Sequence, residues 1–457
     1  MENQFKIDNL KENDEKGFFQ LYQKTWGDSD EEINLVRSAS TFYPEYSFYY
    51  LKNNEVVSIA GTRQKQIRFF NNSTSSKNNS KNNESNFVEK VPMIFGVSTK
   101  EEERRNGYAS QLIKTILQKL HSDAYNLAII GLDDTKTGLE SFYQRFGFKS
   151  FNNRHYIPFQ TLFKKGFSIR EGNMDDVKTV NQLFKDYTQY YNIALYRDET
   201  LTSYRLRETF VENDGKLFIL SLEYPNTIHD SVHKNYKDYA YILHKNNNII
   251  EYINMFHFSN YGFSGPLENA DEKEIHQRLE EKGFDYLLSL KNIAIPVAES
   301  YYRYENEKVI DGDKEGGEGE KPIKSSYTIL RLLNPQQFIH KYLDYLNWSI
   351  FISGENNKNG INNEKNFILK VNVKDNVLGD STLKLICQDD YFMFFPDYEN
   401  ESERKIMDTL LSHNLPSMTV EITNLELLQN ILKQFREYHK ENVNFLIHNQ
   451  IYFTENW

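Results

Sequence analysis

The residues whose types and spacing could do chemistry lie between positions 91 and 148. Arg104, Arg105, Asn106, Gly107, Tyr108 and Ala109 spell R-x-x-G-x-A where a strand-like run, VPMIFGVS, gives way to a helix-like one. Leu112, Ile113, Ile116, Leu117 and Leu120 follow at helical spacing, so the pattern falls on a helix N-terminus. Free backbone N–H groups there carry partial positive charge, and a glycine lets a diphosphate approach the chain closely. Two arginines reinforce the attraction, and the expectation is an anion site. A second strand-like run, NLAIIGL, precedes FYQRFGF, which sets Tyr143, 36 residues beyond Gly107, on a short helix ending at Gly147. Its phenol could donate a proton, or its ring could simply pack at the edge of an amphipathic helix.

Other patterns lose their chemistry on inspection. His229 and His233 stand at i, i+4, but Asn, Pro and Asp surround them and no third ligand is near, which reads as a surface loop. DGDKEG at Asp311 begins like a calcium loop, yet Pro322 occupies the twelfth position where a bidentate Glu is needed. That stretch also lacks the strand before and the Lys-Ser/Thr after that a phosphate-binding P-loop requires. No metal is expected. Cys387 is the one cysteine, so no internal disulfide or multi-cysteine metal site can form, which suits a reducing compartment.

At 457 residues, length predicts about three domains. The net charge of -11 disfavours bulk nucleic-acid binding, though a local basic patch could still hold an anion. No run reaches the ~18 apolar residues of a membrane helix, and the first residues lack a signal-peptide pattern. The expectation is a cytoplasmic protein without a membrane span. The 31 Tyr and 32 Phe accompany an abundance of Asn and Lys, which reads as codon bias rather than an aromatic binding surface.

The elements that must position the site show an internal repeat. FKIDNLKENDEKGFFQLY at Phe5 recurs in outline as FSIREGNMDDVKTVNQLF at Phe167, each reading strand, turn, helix. YYLKNNEVVSIAG at Tyr49 is echoed by YILHKNNNIIEYI at Tyr241, each two strand-like runs around an Asn-rich turn. Two copies of one α/β fold follow, at 1–158 and 165–310. A polar insert at 71–86, expected to be disordered, lengthens a hairpin of the first, and 311–324 reads as a linker. From 325 to 457 the pattern changes. Phe367, Leu369, Val371 and Val373 share one strand face, as do Met418, Val420 and Ile422, and Leu425, Leu428, Ile431 and Leu432 fall near helical spacing. A small α+β domain is expected there.

The order strand, R-x-x-G-x-A, helix, strand, F-Y-x-x-x-G-F resembles the GNAT superfamily of acyl-CoA-dependent N-acetyltransferases over residues 1–158. The resemblance implies direct transfer of an acetyl group from acetyl-CoA to an amine, in a ternary complex formed where two central parallel strands splay. It implies that the backbone of Phe95, Gly96 and Val97 holds the pantetheine and thioester, that residues 104–109 hold the diphosphate, and that Tyr143 protonates the departing thiolate. The usual family spacing has Asn at 136 and Ala at 139, where this chain has Lys136 and Leu139. Asp133 and Asp134 are secondary candidates near the cleft mouth, solvated loop carboxylates being the alternative.

The second copy lacks both motifs, and is expected to be structural. An active GNAT domain, a degenerate one and an α+β domain together resemble the Eis-type (enhanced intracellular survival) acetyltransferases, whose last domain is similar to sterol carrier proteins. The resemblance implies that Trp457 supplies its α-carboxylate as general base; a frayed chain end is the alternative. The expected acceptor is a primary amine: a lysine side chain, a polyamine or an aminoglycoside-like compound. A non-catalytic lipid-binding or scaffold protein retaining a GNAT fold is the rival reading, and homo-oligomer formation stays open.

Overall fold

The computed structural model describes residues 5–10, 15–69, 88–133, 139–158, 163–188, 193–211, 215–222, 238–245, 248–254, 270–284, 287, 294–298, 325–342, 346, 348–351, 366–388, 391–394, 417–437 and 451–452. The insert 71–86, the linker 311–324, Asp134, Lys136, His229, His233 and Trp457 lie outside the described residues.

The chain begins β1 (Phe5–Asn9), α1 (Glu15–Trp26), α2 (Asp30–Ser38), β2 (Phe48–Lys52), β3 (Glu55–Phe69), β4 (Val88–Thr99), α3 (Tyr108–Ser122), β5 (Leu127–Asp133), α4 (Leu139–Gln144) and β6 (Lys149–Pro158). Local chemistry explains several boundaries. Ser29 and Glu32 form a reciprocal capping box at the start of α2. Asn53 and Asn54, both at positive φ, make the tight turn between β2 and β3. Strands β1 to β4 follow one another as antiparallel neighbours, then β4 pairs in parallel with β5. The result is a mixed α/β layer carrying the GNAT arrangement of sheet and helices.

A second unit follows: β7 (Phe167–Gly172), α5 (Val177–Thr188), β8 (Ile193–Leu195), α6 (Glu199–Phe210), β9 (Lys216–Leu222), β10 (Asp238–Lys245), β11 (Asn248–Asn254), α7 (Glu272–Glu281) and β12 (Ala294–Ala298). Its four-stranded sheet runs β11-β10-β9-β7. The strand-turn-helix echo thus has a structural counterpart in β1–α1 and β7–α5. The second echo is displaced by one strand. It matched β2–β3 with β10–β11, whereas counting from the first strand of each sheet makes β9–β10 the counterpart of β2–β3. Asn-rich turns are common hairpin chemistry, so their recurrence marked a hairpin but not its place in the sheet.

The rest comprises β13 (Ser325–Leu332), α8 (Pro335–Lys341), β14 (Asn366–Lys374), β15 (Ser381–Gln388), β16 (Tyr391–Phe394), β17 (Ser417–Thr423), α9 (Asn424–Glu437) and β18 (Ile451–Tyr452). Strands β14 to β17 form a sheet of order β16-β15-β14-β17, with β14 and β17 parallel. Phe367, Leu369, Val371 and Val373 are buried together, as the alternation requires. On α9 the buried stripe is Leu427, Leu428, Ile431 and Leu432; Leu425 is only half-buried.

Sequence order and spatial order part at β13. This strand lies between β5 and β6, antiparallel to both, with Leu330 opposite Ile129 on one side and Lys149 on the other. Residues 325–332 therefore complete the first sheet instead of opening a separate last domain at 325. Strands β8 and β12 also join that sheet, on β3 and β6, and Ile451 and Tyr452 of β18 pair with β8. One apolar cluster runs through all three segments, from Phe18 and Met93 through Phe184 and Leu206 to Leu369 and Leu428. Among the described residues, no helix is long and apolar enough to cross a membrane.

Candidate active site

The site starts from a mismatch between β3 and β4. Ile59 faces Ser98, but two residues on Gly61 faces Phe95, so β4 spends one residue more than β3 over the same span. Gly96 and Val97 bulge outward. Gly96 has φ +59, and a Cβ there would lie 2.6 Å from the Tyr22 ring, so both the conformation and the space require glycine. The pairing of β4 with β5 is confined to Met93–Ile129 and Ile94–Ile130. Strand β13 pairs with all of β5 on its other edge, and beyond Ile94–Ile130 no residue pair joins β4 to β5 among the described residues. The backbone at residues 95–97 is thus placed on a wedge, where its polar groups could pair with an extended amide-bearing ligand as a strand would.

Just past the wedge, β4 leads to the candidate anion loop. Arg105 has φ +68 and Gly107 φ +82, flanking Asn106, and Gly107 is the N-cap of α3 with no side-chain cap. Such left-handed turns point successive N–H groups outward, toward an anion. Arg104, Arg105, Asn106 and Gly107 are exposed, whereas Ala109 is half-buried. Tyr108 turns inward and stacks on Tyr50, with ring centroids 4.2 Å apart, which anchors the first turn of α3. The loop is tied further by Asn106 Nδ2, which donates to the Glu103 carbonyl at 3.1 Å, and by the Lys52–Glu103 ion pair at 2.7 Å. Leu112, Ile113, Ile116, Leu117 and Leu120 are fully buried along the helix behind it.

Tyr143 is buried on α4, in one apolar cluster with Ile94, Tyr108, Ile130 and Leu132, the residues beside the wedge and the loop. No hydrogen bond engages its hydroxyl among the described residues. Burial raises its pKa above the ordinary phenol value, so the group holds its proton at neutral pH. The structure thus brings Tyr143, residues 95–97 and residues 104–109 around one region. Asp133 ends β5.

The other face of the bulge is aromatic and charged. The Phe95 ring packs edge-on against Tyr22 and Phe42, and Arg63 lies over it. Near Tyr22, Asp28 has its carboxyl raised above the usual range by burial and then by Glu32. Sequence reasoning missed this face and the bulge itself. The signal was present in part: a glycine inside a strand, as in FGV, marks a bulge or a close approach.

Residues 12–148 match the family described as Acetyltransferase (GNAT) family. Among solved structures, the chain is similar to a protein of unknown function from Enterococcus faecalis V583 described as a probable N-acyltransferase, at 12% identity and TM-score 0.54, covering 94% of this chain and 90% of that one. It is also similar to a GCN5-related N-acetyltransferase from Anabaena variabilis ATCC 29413, at 10% identity and TM-score 0.52, with 94% and 90% covered. Eis1 from Mycobacterium abscessus aligns over 93% of this chain and 89% of that one, at 9% identity and TM-score 0.45. No curated protein matches the sequence. The family match and the bulged, splayed strands agree that the first unit of this chain has the GNAT acetyltransferase fold.

Proposed function

We propose that the protein is an acetyl-CoA-dependent N-acetyltransferase. The observation that carries this reading is the bulged wedge between β4 and β5 leading into an anion loop at a helix N-terminus, with a proton-bearing tyrosine buried beside both. Residues 104–109 hold the diphosphate through backbone N–H groups and the two arginines. The pantetheine pairs with the backbone of residues 95–97, which aims the thioester carbonyl at their N–H groups. A neutral primary amine attacks that carbonyl carbon, the C–S bond breaks, and the thiolate takes the proton of Tyr143. The amine gives up its own proton to solvent or to a base.

The acceptor is a lysine side chain, a polyamine or an aminoglycoside-like amine. Trp457 enters this reading as general base. In support, β18 pairs with β8 on the first sheet only five positions before it. Unchanged turnover after adding one glycine beyond Trp457 would remove it from the mechanism. Calorimetric titration with acetyl-CoA tests the core of the proposal without needing the acceptor. Micromolar binding, abolished by a bulky residue at Gly107, is the expected result. Absence of binding would favour the scaffold or lipid-binding reading.

A further inference from the structure

Tyr143 stands four residues before Gly147, and the chain between them is closed by three hydrogen bonds, one from the Phe146 N–H to the Tyr143 carbonyl at 2.9 Å. The Phe148 N–H donates to the Tyr143 carbonyl at 3.4 Å and the Gly147 N–H to the Gln144 carbonyl at 2.9 Å, with Gly147 at φ +78. This is a glycine-terminated helix end, and it fastens the backbone of Tyr143 itself to the position of Gly147. What sits against Gly147 comes from far away in sequence. A Cβ on Gly147 would lie 2.1 Å from Nη1 of Arg331, so the guanidinium occupies the place a side chain would take.

Arg331 is on β13 and is 1% exposed. Its Nη2 donates to both carboxylate oxygens of Asp375, at 2.9 and 2.8 Å. Asp375 directly follows β14 and is held in turn by the backbone N–H groups of Val377 and Leu378 and by Asn424 Nδ2, which opens α9. Val377 and Leu378 then pack on the cluster that contains Tyr143 and Phe148. A buried ion pair is a poor device for stability alone, because apolar residues of similar size usually serve as well. Here the Nε of Arg331 is buried with no partner among the described residues, which adds to the cost. A planar fork fixed at one end does, however, define where Gly147 stands.

We propose that Arg331 is a positioning residue for Tyr143: pinned by Asp375 of the C-terminal sheet, its guanidinium seats Gly147 and so fixes the height of Tyr143 beside the wedge. The C-terminal sheet, which carries none of the proposed reacting groups, then tunes the proton donor of the site. The inference rests on Tyr143 acting as the acid.

Arg331→Lys tests it, because the charge opposite Asp375 is kept while the planar fork is lost. Amide hydrogen exchange over 139–148 should rise ~10-fold or more while 108–122 stays protected, since a local end opens without global unfolding. With acetyl-CoA and spermidine, kcat should fall ~10-fold, acetyl-CoA KM should stay within about two-fold, and in a Tyr143→Phe background the fall should vanish. The double change Arg331→Met with Asp375→Leu, which leaves no buried charge, should repeat the pattern. Unchanged exchange over 139–148 in both variants, or the same fall in kcat with and without the tyrosine hydroxyl, would overturn the proposal. A parent enzyme that binds no acetyl-CoA and transfers nothing would instead sink the acetyltransferase reading, and the exchange measurement would still decide whether Arg331 seats Gly147.

Discussion

The guanidinium carbon of Arg63 lies 4.5 Å from the centroid of the Phe95 ring, on the face of the bulge opposite Tyr143. Glu208 of the second unit reaches Arg63 at 3.4 Å and Arg205 at 2.9 Å, and Arg205 lies 3.7 Å from Glu251, which Arg197 grips with two hydrogen bonds. The second unit, whose sequence lacks R-x-x-G-x-A, thus holds a cation over the strand that carries the proposed thioester site. Glu208→Gln should weaken that hold. We expect kcat/KM for acetyl-CoA to fall ~3- to 10-fold, as loss of a partly desolvated ion pair of ~1 kcal/mol implies. Steady-state kinetics on the purified variant would check it.

Two glycines should fail in different ways. At Gly107 a Cβ would meet nothing within 4 Å, but φ is +82. Asn tolerates that region, so Gly107→Asn should leave thermal stability within ~1 kcal/mol of the parent while its side chain obstructs the anion loop and weakens acetyl-CoA binding ~10-fold or more. At Gly96 the added Cβ would strike the Tyr22 ring. Gly96→Ala should cost ~1–3 kcal/mol in folding stability, read by denaturant titration.

Tyr143→Phe removes a hydroxyl that makes no hydrogen bond among the described residues. Stability should hardly change, and kcat should fall ~10²-fold. Because burial raises the phenol's pKa above its ordinary value near 10, the proton stays on as pH rises toward 10. The rate of the parent enzyme should therefore show no loss between pH 8 and about 10 that the Phe variant lacks. A tyrosine-dependent alkaline limb in that range would contradict the assignment.

The Arg331–Asp375 pair predicts the acid behaviour. Burial works to raise the Asp375 carboxyl, but Arg331, two backbone N–H groups and Asn424 outweigh it and hold its pKa below the ordinary value. A folded-state pKa depressed in this way contributes stability that is present above the unfolded value, ~3.9, and is lost as pH falls through the folded one. The parent's melting temperature should therefore be insensitive to this pair from pH 7 to about 4.5 and drop below ~4. Asp375→Asn should lower it at pH 7 and flatten the acid drop, as a calorimetric pH series would show.

Much of the first unit was legible because its signals are local. The stripe behind R-x-x-G-x-A, the alternation of β14 and the hairpin turn at Asn53 and Asn54 each follow from a few neighbouring residues. The bulge at Gly96 was half legible, since a strand glycine announces irregularity but not its direction. The role of β13 was not legible at all. Residues SSYTILRL read only as part of the unit that follows the linker, because a strand's partner is set by tertiary packing and its nearest sequence neighbours pointed to the sheet that comes after it. Arg331 and Asp375, 44 positions apart, carry no motif, and burial joins them only after β13 has left the C-terminal sheet for the first one.

That displacement of β13 has a consequence for how the protein is made. When residue 158 has been synthesised, β5 and β6 exist but the strand that separates them does not. At roughly 5–20 residues per second, translation needs about 9–35 s more to reach residue 332. Throughout that interval two strand edges of the first sheet are open to wrong partners. A nascent chain truncated after residue 158 should consequently be protease-sensitive and prone to self-association, and one extended past 332 should not.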